Sequence, residues 1–331
     1  MPVRAAVIEQ HGTAPALRDR ATPAGEGAQA LVTTTAAPIT PLDILCATGT
    51  SYFGPPPLPY VPGVQGVGVV QRASGCPTGT RVWFPTTAGM QPGDGSMAQQ
   101  VLVPESELVA LPDRVEDTRV AALGLSAIAA WMALTWKAAL QPGEKVLVLG
   151  GGSVVGQVAI QAARESGAGR VVAASRSARA QERANTCGAD AVVELRDDDE
   201  PDALAAKLAA ACDGDVDVVI DPLCGVPASA ALRLLGPGAR FVNLGSSAGD
   251  TATFTSATIR SRSVQVLGYT NNEIDTEQKG EALLAVLDHA AAGRLTVDHE
   301  VVSLDHLPEA WQRQADGRAD RRIVVDLTTS G

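Results

Sequence analysis

Between about residue 140 and residue 270, short apolar runs alternate with longer stretches in which apolar residues recur at helical spacing. Runs typical of strands buried on both faces lie at 146–149, 171–174, 217–220 and 241–244. The stretches between them predict helices over 154–165, 178–186, 202–211 and 227–235. Strands that alternate with helices in this way predict an α/β fold with a parallel, doubly wound sheet, which binds its ligand across the carboxyl ends of the strands.

Three glycines directly after the first of these strands carry the clearest chemical signal. A tight glycine turn brings bare backbone N–H groups close to a pyrophosphate, and the N-terminus of the following helix favours the negative charge. Gly156 can act as the third glycine of a Gly-x-Gly-x-x-Gly motif, although Ser153 stands in place of the second. A glycine-rich turn in another kind of α/β protein is the alternative. The predicted pyrophosphate contacts are Gly150, Gly151, Gly152, Ser153, Val154, Val155 and Gly156.

The end of the second strand predicts which nucleotide is bound. NAD-specific folds carry an acidic residue there, which accepts hydrogen bonds from the ribose hydroxyls. This chain has Ser175 at that point, followed by Arg176 and Arg179. A small hydroxyl leaves room for a 2′-phosphate and guanidinium groups pair with its oxygens, so we predict NADP(H), with Arg318 as a further contact to the same phosphate. The alternative is that these arginines are solvated surface charges.

The N-terminal third, to about residue 115, is rich in Pro, Gly and Thr, with strand-like runs at 4–8, 30–34, 66–70 and 81–84 that predict a compact β-rich domain. The length of 331 residues is enough for two domains. A net charge of −11 and an aromatic content of 3% argue against nucleic acid or an anionic membrane as a partner. The uncharged span 120–136 is predicted to be a buried core helix.

The cysteine pattern indicates in which cellular compartment the protein is expected. The five cysteines are odd in number and widely spaced, and charged residues interrupt the N-terminus where a signal peptide would need an apolar stretch. We therefore expect reduced thiols in a cytoplasmic protein.

Several motifs occur in an order that resembles the medium-chain dehydrogenase/reductase superfamily. They are Pro62-Gly63-Val64-Gln65-Gly66-Val67-Gly68-Val69-Val70, Gly95-Ser96-Met97-Ala98-Gln99, the approach Leu140–Val148, Asp217–Asp221, Pro237–Phe241, and the ending from Ala291 to Val325. The resemblance implies a β-rich GroES-like catalytic domain formed by residues 1–119 and 268–331, and a Rossmann-type NADP(H)-binding domain over 120–267.

The alcohol dehydrogenases of this superfamily bind a catalytic zinc, which needs three protein ligands. The corresponding positions here hold Thr40, Val64 and Leu125, and residues 86–100 lack the cysteines of a structural zinc lobe. The chain is therefore more similar to the zinc-free quinone oxidoreductase and enoyl reductase branch. The stretches Thr48-Gly49-Thr50 with Tyr52, and Leu58–Gly63, carry that likeness. The resemblance implies NADPH as cofactor and no metal.

The resemblance also implies the catalytic residues. It puts Tyr52 over the nicotinamide, where its hydroxyl would polarise the substrate carbonyl or donate a proton; the alternative is a loop residue with a solvated hydroxyl. Thr40 and Asp43 are expected to line the same cleft, with Asp43 holding a turn or a backbone N–H. Near the nicotinamide ring we expect Asn243, Gly245 and Ser246, which follow a strand end. The acidic run 197–200 is interpreted as a solvated loop.

The function expected from these features is zinc-independent, NADPH-dependent hydride transfer to a quinone or an α,β-unsaturated carbonyl. A biosynthetic reductase of ketones or enoyl thioesters is one alternative, and a non-redox NADPH-binding protein with a structural or stabilising role is another. A homodimer is also expected, because the strand predicted at 263–267 would leave an apolar sheet edge uncovered.

Overall fold

The computed structural model describes residues 2–25 and 27–328 and divides the chain into two compact units. The first unit comprises Met1–Leu125 and Asp298–Gly331, and the second comprises Ser126–Val297. Residues 268–297, which the sequence analysis assigned to the catalytic domain, lie in the second unit. The side chain of Gln161, in the same unit, binds the end of this segment: it donates to the carbonyl of Thr296 (2.7 Å) and accepts from the N–H of the same residue (2.8 Å).

The first unit is built mainly on antiparallel strands, with β14 and β15 as its parallel pair among the described residues. Its strands are β1 (Val3–Val7), β2 (Ala16–Arg20), β3 (Gln29–Ile39), β4 (Gln65–Arg72), β5 (Arg81–Pro85), β6 (Gln100–Pro104), β7 (Val109–Ala110), β14 (His299–Ser303) and β15 (Arg322–Asp326). Seven form one sheet in the order β14-β15-β3-β4-β5-β7, with β6 also paired to β3, while β1 and β2 form a second, two-stranded sheet. Helices α1 (Pro41–Thr48) and α9 (Leu307–Ala315) complete the unit. The predicted β-rich front is confirmed.

The second unit is an α/β domain with a six-stranded sheet in the order β10-β9-β8-β11-β12-β13. Its strands are β8 (Lys145–Leu149), β9 (Arg170–Ser175), β10 (Ala191–Glu194), β11 (Val216–Asp221), β12 (Leu235–Asn243) and β13 (Gln265–Gly268). Its helices are α3 (Val154–Glu165), α4 (Ala178–Thr186), α5 (Pro201–Cys212), α6 (Gly225–Ala231), α7 (Ser256–Arg262) and α8 (Thr276–Ala291). All neighbouring strands are parallel, and the order reverses between β8 and β11, as in Rossmann-type folds. The predicted fold class is confirmed.

The remaining helix, α2 (Asp117–Met132), is broken at Gly124, whose φ of 33° and ψ of −133° are not helical. The side chain of Gln65 occupies the break: its Oε1 accepts hydrogen bonds from the N–H of Leu125 (2.8 Å) and from Nε1 of Trp83 (3.0 Å). A side chain at position 124 would collide with that amide. The predicted core helix over 120–136 is therefore interrupted near its start.

Helix α2 runs on into a π-helical segment, Ala133–Lys137. By length and composition alone, the stretch Asp117–Lys137 could cross a bilayer, and 56% of its most apolar window is buried inside the protein.

Candidate functional site

The glycine turn joins β8 to α3 at the point where the strand order reverses. Gly150 adopts a left-handed conformation with φ of +69°, which favours glycine. A Cβ on Gly156 would come within 2.6 Å of Gly151 Cα, so α3 packs against the turn only because position 156 has no side chain. Ser153 caps the helix: its hydroxyl accepts from the N–H of Gly156 (3.1 Å) and donates to the carbonyl of Gly150 (2.8 Å).

Few N–H groups of this turn remain available to a ligand. Those of residues 150–153 bond within the turn or to the end of β9. Among the described residues, the N–H groups of Val154 and Val155 have no partner. The first turn of a helix leaves such donors unpaired, and its dipole favours an anion there. Of the predicted contacts, the structure therefore makes Val154 and Val155 the free backbone donors, while the glycines shape the turn.

The end of β9 holds the predicted phosphate-binding residues in three different environments. The hydroxyl of Ser175 is 3% exposed and accepts a hydrogen bond from the N–H of Gly152 at 3.1 Å. The guanidinium of Arg176 is 70% exposed, and its Nη1 lies 4.0 Å from Oδ1 of Asp197. Arg179 is exposed in the first turn of α4. Two arginines thus lie at the surface, while the serine supports the glycine turn.

Arg183, which the sequence analysis did not single out, also contacts the turn. Its Nε donates to the carbonyl of Gly152 at 3.1 Å. The signal was its spacing: Arg183 lies four residues after Arg179 and therefore on the same face of α4.

A polar pair, the buried Asp221 and the half-buried Asn243, joins the carboxyl ends of β11 and β12. The carboxylate of Asp221 accepts hydrogen bonds from the N–H groups of Leu223 and Cys224 (both 2.9 Å) and from Nδ2 of Asn243 (2.8 Å). Burial raises the pKa of Asp221, and these hydrogen bonds oppose the shift. Asn243 also donates to the carbonyl of Gly245 (2.9 Å), so its side chain fixes the turn at the strand end.

Ser246, predicted beside Asn243 and Gly245, is exposed in that turn, and its carbonyl accepts a hydrogen bond from the N–H of Gly249 at 3.2 Å.

In the first unit, Thr40 and Asp43 form a capping box at the start of α1. Oδ2 of Asp43 accepts from the N–H (2.8 Å) and the hydroxyl (2.6 Å) of Thr40, and Oδ1 accepts from the N–H groups of Gly63 and Val64 (both 3.0 Å). Burial raises the pKa of Asp43, and the hydrogen bonds oppose the shift. The carboxylate is 2% exposed and holds the turn at Gly63.

Arg322, at the start of β15, is a buried charge that the sequence analysis did not single out. It is 9% exposed, and its Nη1 donates to the carbonyl of Ile39 at 2.9 Å. Burial lowers its pKa to about 10, and the attraction of Asp43 opposes the shift. A single arginine at the start of a strand leaves no sequence pattern from which its burial could be inferred.

Tyr52 lies on the loop after α1 and is 81% exposed, and its ring packs at a tilt of 35° against that of Phe53, at a centroid distance of 4.2 Å. Arg318, also in the first unit, pairs with Asp316 (2.5 Å).

At the three positions where the resemblance implies catalytic zinc ligands, the structure has Thr40, Val64 and Leu125. Thr40 is bonded to Asp43, Val64 is a buried apolar residue, and Leu125 is apolar. Within the residues that the structure describes, no group of three or more His, Cys, Asp or Glu side chains could hold a metal ion.

Comparisons with known proteins agree with this architecture. Residues 154–286 match the zinc-binding dehydrogenase family, and residues 26–113 match the alcohol dehydrogenase GroES-like domain. Quinone oxidoreductase from Lama guanicoe is 30% identical over 232 residues, which cover 69% of this chain and 67% of that protein.

Two further comparisons differ in extent. One of the subunits of the phenolphthiocerol/phthiocerol polyketide synthase from Mycobacterium tuberculosis is 28% identical over 229 residues, 68% of this chain; the match spans only 10% of that much longer protein. A mycobacterial protein solved in complex with NADPH superposes with a TM-score of 0.84 at 20% identity, covering 98% of this chain and 100% of that one, and shows the shared fold. The 30% identity to a quinone oxidoreductase, together with the two family matches, shows that the chain belongs to the quinone oxidoreductase branch of the medium-chain dehydrogenase/reductase superfamily.

Proposed function

We propose that this protein is an NADPH-dependent oxidoreductase that transfers hydride to a quinone or an α,β-unsaturated carbonyl without zinc. The observation that carries the proposal is the pair of free N–H groups of Val154 and Val155 at the N-terminus of α3, at the reversal point of the sheet. Dinucleotide pyrophosphates bind at such a helix end. The membership of this chain in the quinone oxidoreductase branch supports the proposed reaction class.

The choice of NADPH rests on the end of β9. The last residue of β9 is Ser175 rather than an acidic residue, and Arg176 after the strand and Arg179 in the first turn of α4 have exposed side chains. Guanidinium groups form charge-assisted hydrogen bonds with phosphate oxygens. A neighbour of the same fold was solved with NADPH. We keep Arg318 as a secondary candidate, although its present partner is Asp316.

Different residues of the chain are proposed to have different roles in the reaction. NADPH, when bound, supplies a hydride for an electron-poor carbon of the substrate. The exposed phenol of Tyr52 is proposed to donate a hydrogen bond, and then a proton, to the substrate carbonyl oxygen. Thr40 and Asp43 fix the start of α1 and the turn at Gly63. Asn243, Gly245 and Ser246 are proposed to border the nicotinamide.

The absence of zinc from the reaction is part of the proposal. Support comes from Thr40, Val64 and Leu125, whose side chains offer neither imidazole, thiolate nor carboxylate at the three ligand positions. Activity that survives a chelator, in protein with substoichiometric zinc, is expected. Stoichiometric zinc with chelator-sensitive turnover would contradict this part.

A second candidate substrate class is the enoyl thioester. The match to part of a polyketide synthase, a biosynthetic enzyme by its name, favours this class. An enoyl thioester and an enone both accept hydride at an electron-poor β-carbon, so one site could reduce either.

We further propose a homodimer that pairs through β13. This strand lies at the edge of the sheet, and Val266 on it is 52% exposed. An apolar edge strand is a liability unless it is covered, and two-fold pairing covers it in both copies. Light scattering should give twice the mass of the 33.9 kDa chain, and a monomer mass would contradict the proposal.

The function is tested by following the absorbance of reduced nicotinamide with a quinone, an enone or an enoyl thioester as acceptor. Oxidation of NADPH that depends on the protein and on at least one acceptor is expected. NADPH that stays reduced with all three acceptors, although it binds, would favour a non-redox binding protein.

A further inference from the structure

The peptide groups around Gly152 are held by side chains from three different elements. Its N–H donates to the hydroxyl of Ser175 at the end of β9 (3.1 Å). Its carbonyl accepts from Nε2 of Gln157 in α3 (3.1 Å) and from Nε of Arg183 in α4 (3.1 Å). We call Ser175, Gln157 and Arg183 the Gly152 clamp.

Close packing explains why α4 reaches this turn. A Cβ on Gly152 would lie 2.5 Å from Cα of Ala180, so the helix backbone touches the glycine directly. Arg183 lies one turn further along α4, where its guanidinium reaches back to the same residue. The glycine thus allows the approach, and the arginine fixes the orientation of its carbonyl.

The orientation of that carbonyl has an electrostatic consequence. Gly152 lies two residues before Val154, the first free donor of α3, and its C=O dipole is negative at the oxygen. Two donors hold this oxygen against α4 and Gln157. If this peptide group flipped, its partly negative oxygen would face the N-terminus of α3 and repel an anion bound there. In the observed orientation, the N–H groups and the helix dipole attract such an anion.

We propose that Arg183 is a positioning residue for dinucleotide binding, which acts by holding the Gly152 carbonyl away from the pyrophosphate rather than by pairing with the 2′-phosphate. The inference rests on the proposed function, since it assumes that a dinucleotide binds at this turn. It makes β9, which carries Ser175, and α4, which carries Arg179, the elements that also set the shape of the pyrophosphate turn.

The two roles make different predictions, because NADH and NADPH share the pyrophosphate and differ in the 2′-phosphate. Arg183→Met keeps the length of the side chain but removes the donor and the charge. It should weaken the binding of NADPH and NADH by the same factor, about tenfold, as expected for the loss of one hydrogen bond that holds the turn. Arg183→Gln keeps an N–H donor without the charge and should restore most of the affinity for both.

The test is a titration of the whole protein with NADPH and, separately, with NADH, followed by calorimetry, for wild type, R183M, R183Q and the control R260M. Arg260 is an exposed arginine on α7 of the same unit. Equal losses in R183M, rescue by R183Q and no change in R260M would support the inference. The unfolding temperature of each variant shows whether it is folded, and R183Q carries the test if R183M is not.

Results of three kinds would overturn the inference. A loss confined to NADPH would make Arg183 a reader of the 2′-phosphate. Unchanged binding in R183M, or R183Q as weak as R183M, would show that the bond to Gly152 O has no part in binding. A wild-type protein that binds neither dinucleotide would overturn the proposed function and this inference with it, whereas the first two results leave the proposed function standing.

Discussion

The hydroxyl of Ser175 accepts a hydrogen bond from the N–H of Gly152 at 3.1 Å, and so joins the end of β9 to the glycine turn after β8. The residue at the end of β9 is also the one that sets nucleotide choice in Rossmann-type folds. One buried side chain therefore supports the turn and leaves the position without a negative charge.

Replacing Ser175 by Asp should reverse the cofactor preference. The carboxylate can still accept from Gly152 N–H, but it repels a 2′-phosphate and accepts hydrogen bonds from the ribose hydroxyls of NADH. We expect the affinity for NADPH to fall by about tenfold or more, with that for NADH unchanged or higher. Titrations with both dinucleotides measure this, and Ser175→Asn, of similar shape without the charge, is the control. An S175D protein that still prefers NADPH would contradict the assignment.

Replacing both Arg176 and Arg179 by Ala should weaken NADPH binding by several-fold to about a hundredfold. Each charge-assisted hydrogen bond contributes roughly 1.5–3 kcal/mol at most, and solvent reduces that contribution because both side chains are exposed. NADH affinity should hardly change. Equilibrium titration is the measurement, with Arg260→Ala as a surface control. Equal losses for both dinucleotides, or none, would show that these guanidinium groups do not recognise the 2′-phosphate.

Replacing Tyr52 by Phe should lower turnover by roughly a hundredfold, with dinucleotide affinity unchanged, if the phenol acts as general acid. The ring contact with Phe53 persists in the variant because only the hydroxyl is lost. Steady-state rates with an enone and a quinone, beside a binding titration, separate the two effects. A rate equal to that of the wild type with both acceptors would leave Tyr52 a loop residue.

Replacing Glu144 by Gln should destabilise the protein in a pH-dependent way. The carboxylate forms a two-fold contact with the guanidinium of Arg240 (2.7 and 2.8 Å), which lowers the pKa of Glu144. Because the folded pKa lies below the unfolded value of about 4.3, this stabilisation is present at neutral pH and is lost as the pH falls through the folded pKa. Denaturant unfolding at pH 7 should show a loss of about 1–2 kcal/mol, which fades under strongly acidic conditions.

Glu194→Gln is the matched control for that experiment, since Glu194 pairs with Arg196 at an exposed position and should contribute little. A loss in E144Q that is the same at every pH would mean that the charge of Glu144 has no part in it.

The sequence predicted the second unit well because buried parallel strands leave a strong local pattern. The helix over 178–186 has the predicted bounds, and β9 differs from its predicted range by one residue at each end. The acidic run 197–200 was less predictable. It was expected to be a solvated loop, but the side chain of Asp199 is 5% exposed and accepts a hydrogen bond from Nζ of Lys207 (2.7 Å). A charge pattern cannot show which member of an acidic run meets a lysine on the next helix.

The sequence identified most residues of the candidate site, but not the structural role of each. The glycine turn followed from local sequence, whereas the burial of Ser175 depends on how closely β9 and α4 pack against Gly152. The break at Gly124 depends on Gln65, which lies 60 residues apart from Leu125 in the chain. Contacts between distant segments of this kind leave no periodicity in a single sequence.

The central claim is hydride transfer from NADPH to an electron-poor carbon, and isotope transfer tests it most directly. Wild-type protein is incubated with an enone and NADPH that carries deuterium at both positions of nicotinamide C4, and the product is analysed by mass spectrometry and NMR. We expect a saturated ketone with a single deuterium at the β-carbon. A product without deuterium, or no reduced product from an enone, a quinone or an enoyl thioester, would contradict it.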